Sequence, residues 1–62
     1  MIWEELKEKC LKLGDELRDD YILVPWQLEL HKDGSVYCGD YACLIAENRT
    51  YEQMWQIREA LQ

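Results

Sequence analysis

YILVPWQLELHKDGSVYCGDYACLIAE, residues 21–47, reads as two β-rich runs that meet at Lys32-Asp33-Gly34-Ser35. Asp33-Gly34 is a strong hairpin signal, because a type I′ turn needs positive φ at both central residues, which Gly adopts freely and Asp tolerates. Before the turn, Trp26, Leu28 and Leu30 alternate with Gln27, Glu29 and His31, the period of two expected when one sheet face is buried and the other wet. After it, Val36 to Ala46 is a nearly continuous apolar run broken by Gly39-Asp40. This is either one strand with a bulge at Gly39 or a second turn in a three-stranded meander. Pro25 cannot donate to a ladder, so Tyr21–Val24 either belongs to an edge strand, the favoured reading, or is separated from Trp26–His31 by a kink.

Outward from the hairpin, each flank reads as a helix. Trp3, Leu6, Cys10, Leu13 and Leu17 recur at alternating spacings of three and four, predicting a helix over about residues 2–19. Glu4 and Glu5 sit where the macrodipole favours anions. Gly14 opposes an unbroken helix, and implies either a close backbone approach or a break. Downstream, Thr50-Tyr51-Glu52-Gln53 fits a capping box opening a helix over about residues 51–61. The predicted architecture is a single α+β domain over residues 1–62: helix, antiparallel strands over about 21–31 and 35–47 (split at 39–40 in the meander reading), helix, with both helices on one sheet face.

Composition narrows the function classes. Thirteen acidic against seven basic residues give a formal charge of −6, spread along the chain. Phosphate recognition needs a basic stripe, and none is present, so direct nucleic-acid binding is not expected. No apolar run approaches the roughly 20 residues of a membrane span. With an initiator Met and no export signal, the expected location is cytoplasmic or virion-internal. Chains this short build thin cores and are often helped by oligomerisation, which points to a possible homodimer. Cys10, Cys38 and Cys43 are too few and too irregular for a secreted disulfide framework and read as small buried apolar residues. A zinc site from these three and His31 lacks any C-x₂-C knuckle, so no metal and no cofactor are assigned. With a lone histidine beside a turn and no cation to activate Cys38 or Cys43, no catalytic residue is assigned either, and the chain is read as not an enzyme.

Two candidate partner surfaces remain. Asp15, Glu16, Asp19 and Asp20 cluster on the predicted helix away from its apolar stripe, at the end where the dipole opposes anions. They form either a solvated face or an acidic patch that docks on a basic partner. The second surface is aromatic. Seven rings, none of them Phe, lean toward positions where a polar edge reaches a surface. Trp26, Tyr37 and Tyr41 would mark the sheet, and Tyr51, Trp55 and Arg58 the second helix. Arg58 either lies over Met54 and Trp55, pairs with a carboxylate from another element, or serves as an interface hot spot.

In length, acidity and helix–strand–strand–helix order the chain resembles the small orphan proteins of phages and mobile elements, among them inhibitors of host defence. That resemblance implies a non-catalytic protein that binds another protein and blocks its basic surface. A homodimeric assembly module or accessory subunit is the alternative, and an antitoxin-like partner of a basic toxin the third.

Overall fold

The computed structural model of the chain describes residues 1–39 and 43–61. Its order is α1 (Trp3–Lys12), β1 (Glu16–Leu17), β2 (Tyr21–Val24), β3 (Leu28–His31), β4 (Val36–Cys38), β5 (Leu44–Ala46) and α2 (Tyr51–Glu59). The α+β class holds, with five strands where two or three were expected. All pairings are antiparallel and the spatial order is the chain order, β1-β2-β3-β4-β5.

Helix α1 stops at Lys12 instead of reaching residue 19, and Gly14 is the reason. At φ +89° it takes the left-handed conformation that closes a helix. Its N–H donates to the Leu11 carbonyl and the next N–H, of Asp15, reaches back to the Cys10 carbonyl, which satisfies two of the last free acceptors of the helix. The chain reverses, and Leu17, expected on the apolar stripe of the helix, sits on β1 opposite Ile22. Only Trp3, Leu6 and Cys10 of that stripe are buried helical positions.

The turn between β3 and β4 also differs from the expected type I′ turn, being one residue longer. His31 N–H bonds to the Ser35 carbonyl, and Gly34 N–H to the His31 carbonyl. The loop therefore has three residues, and positive φ is confined to Gly34 at +92°. A Cβ there would lie 2.8 Å from the Arg49 carbonyl oxygen, because Arg49 crosses the turn and donates its N–H to the Gly34 carbonyl at 2.9 Å. That contact ties the segment leading into α2 to the tip of the hairpin. Helix α2 then opens with the expected capping box: Thr50 Oγ1 accepts from Gln53 N–H, and Gln53 Oε1 from Thr50 N–H.

Tyr21–Val24 is not an edge strand; the alternative, a break at Pro25, is what the fold contains. Pro25 lies in the β2–β3 turn, and β2 is an inner strand between β1 and β3. One sheet face carries Ile22, Val24, Leu28, Leu30 and Val36, cross-strand partners that pack with Trp3, Leu6 and Cys10 of α1 and Met54 of α2 into a single core. Both helices cover that face. Among the described residues no layer lies over the other face.

Candidate binding surface

Val24, Pro25, Trp26 and Gln27 form the turn at one corner of the sheet. Gln27 N–H donates to the Val24 carbonyl at 3.0 Å, Pro25 occupies the second position, where its fixed φ suits the turn, and Trp26 the third at φ +66°. That third position ordinarily belongs to Gly or Asn, and a bulky residue there costs on the order of 1 kcal/mol. Trp26 is 88% exposed, so its indole recovers nothing from the core. The turn is held from both sides: its ends enter paired strands, and Gly39 N–H donates to the Gln27 carbonyl. Glu16, Leu23, Pro25 and Gly39 line a shallow recess beside the ring.

From this corner the uncovered sheet face continues through half-buried side chains. Leu23, Glu29, Tyr37 and Leu44 oppose one another across β2 to β5. Beside them His31 stacks on Tyr21, with ring centres 4.9 Å apart and planes 12° from parallel, and meets Tyr37 at 4.5 Å. Its Nε2–H donates to Glu29 Oε1 at 3.0 Å. The sequence reading placed His31 in solvent beside a turn. In the fold it is the middle ring of an aromatic row, and its parity with Tyr21 and Tyr37 across two hairpins was the signal available. No nucleophile shares its side-chain hydrogen bond, and Cys10 lies on the other side of the sheet, so His31 and the three cysteines do not converge. Among the described residues no three metal-binding side chains come together.

The acidic patch does not assemble as expected. Asp15 is 4% exposed, and its carboxylate accepts from Arg58 Nε at 2.6 Å and Nη2 at 2.8 Å. Arg58 itself is 7% exposed, and its hydrogen bond to the Asp15 carboxylate raises its already high pKa further. The expectation of a solvated Asp15 fails because the chain reverses at Gly14 and turns Asp15 inward beneath the end of α2. Glu16 faces solvent on β1 and pairs with Arg18 at 2.6 Å. Asp19 and Asp20 are exposed in the β1–β2 turn, at the sheet end remote from Trp26 and near Asp33, whose carboxyl is held below the usual range by the Ser35 N–H.

The aromatic set divides in the same way. Trp26 and Tyr37 share the uncovered side. Tyr41 lies outside the described residues. Tyr51 packs on Trp3 with ring centres 5.4 Å apart and donates its hydroxyl to the Lys32 carbonyl, so it is consumed by the fold. Trp55 lies half-buried under Lys9, whose Nζ is 5.1 Å from the ring centre. Arg58 belongs to the carboxylate pair and is not a surface hot spot.

No known family, characterised protein or solved structure matches the chain. Its geometry therefore carries the functional argument alone. No described helix is long and apolar enough to cross a membrane.

Proposed function

We propose that the protein acts without catalysis, by binding another protein, with Trp26 as the anchor and the uncovered sheet face as the flank of the contact. The observation that carries this reading is Trp26 itself: a large apolar ring kept in an unfavourable backbone conformation and presented to water. Strain of this kind persists where the surroundings enforce it and is concentrated at binding sites, and Trp is the residue most enriched among interface hot spots. The net charge of −6 favours a partner with a positive surface, and an inhibitor that occupies such a surface is one form the activity takes. The buried Asp15 takes no part; Glu16, Asp19 and Asp20 supply attraction at a distance.

The test is Trp26→Gly. Gly adopts positive φ without strain, so the variant is expected to be as stable as the parent or more so by up to about 1 kcal/mol in thermal unfolding. Proteins retained from a cell extract by the immobilised parent should be lost by the variant. Equal retention would remove Trp26 from the interface.

A second reading rests on β5. Leu44 and Ile45, 49% and 57% exposed, lie on an outer strand without a charged residue, which favours pairing with another copy of the chain. Shortness and the bulge at its register shift blunt that edge, so this reading ranks second.

A further inference from the structure

Three cysteines are free, and the fold sorts them. Cys10 is fully buried on the inner face of α1, and burial with the neighbouring Asp15 pushes its thiol up to about 12. Cys38 ends β4, half-buried, and Cys43 immediately precedes β5, exposed. The pairing of Tyr37 with Leu44 continues one step along the ladder, where Cys38 N–H donates to the Cys43 carbonyl at 2.7 Å. Residues opposed across an antiparallel ladder have Cα atoms roughly 4.5–5.5 Å apart and side chains on the same side of the sheet. Disulfides span Cα separations of roughly 4.4–6.8 Å.

We propose that Cys38 and Cys43 are a reversible dithiol–disulfide pair that staples β4 to β5. This modification site is independent of the binding role of Trp26. The oxidant is a small disulfide such as oxidised glutathione. The exposed Cys43 thiolate attacks one of its sulfurs, forming a mixed disulfide and releasing one glutathione thiolate. The Cys38 thiolate then attacks the Cys43 sulfur and expels the second. The protein loses two electrons and two protons, and the glutathione disulfide gains them as two thiols.

Sequence makes the readout clean, because trypsin leaves Cys38 and Cys43 together in peptide 33–49 and Cys10 in peptide 10–12. The folded chain is equilibrated with oxidised and reduced glutathione, its remaining thiols are alkylated after unfolding, and it is digested. The expected result is peptide 33–49 lighter by two hydrogens and unalkylated, with peptide 10–12 alkylated. The oxidised fraction should reflect an equilibrium constant at least about tenfold larger in the folded chain than in concentrated urea. Cys38→Ser and Cys43→Ser should each abolish the product. A stable glutathione adduct on Cys43, a Cys43-linked dimer, or equal constants in folded and unfolded chains would each overturn the pairing.

Discussion

Trp26 and Cys10 stand at opposite limits of exposure, and each teaches how far one residue can be read in isolation. The alternation of Trp26, Leu28 and Leu30 suggested that all three share a buried face. Leu28 and Leu30 do, whereas Trp26 belongs to the turn that Pro25 begins, and its agreement with the period is a coincidence of parity. Cys10, by contrast, is the small buried apolar residue its place on the helical stripe implied. Its environment makes a pH prediction. The unfolded chain releases the thiol proton near 9.0 and the folded chain near 12. Between those values the unfolded state binds fewer protons, so the stabilising effect, fully present below pH 9, is lost as pH rises toward 12. One such proton gives a slope approaching about 1.4 kcal/mol per pH unit. Urea midpoints measured at steps across the window should fall steadily in the parent, and Cys10→Ala should flatten the fall.

At the scale of elements, Asp15 and Arg58 fasten the end of α1 to the end of α2. Removing one partner strands the other charge under the helices, so Asp15→Ala or Arg58→Met should each cost about 3 kcal/mol or more. Asp15→Leu combined with Arg58→Met leaves no orphan charge and should lie closer to the parent than either single change, as a double-mutant cycle in denaturant would show. Whether such a connection is visible beforehand depends on the range of the interaction that makes it. The Thr50 capping box, the Gly34 turn and the Trp3-Leu6-Cys10 stripe were readable because each is settled within four residues. Gly14 declared a break in the same way. What followed it did not: a two-residue β1 is too short to show a period, and a carboxylate amid other acids resembles a solvated charge until an arginine 43 positions away closes on it. The candidate surface was half readable for the same reason. Composition pointed to exposed rings, but only the register of β2, β3 and β4 gathers Tyr21, His31 and Tyr37.

For the whole molecule, the net charge and the uncovered sheet face make opposite demands on ionic strength. Attraction by a charge of −6 weakens as salt screens it, whereas contact through Trp26 or through Leu44 and Ile45 does not. Light scattering after size exclusion is expected to show a monomer at low and at high salt. A dimer that survives high salt would transfer the argument to β5. Partner association, in turn, should slow steeply between low and physiological salt while dissociation changes little. The meander also has a kinetic consequence. Every strand bonds only to its neighbour in sequence, so most of the sheet is built from short-range closures, and such topologies fold quickly. The Asp15–Arg58 clasp joins residues 43 positions apart, so its closure is expected to come after the barrier. In stopped-flow measurements, Asp15→Ala should therefore open the native protein faster and leave the rate of its formation almost unchanged.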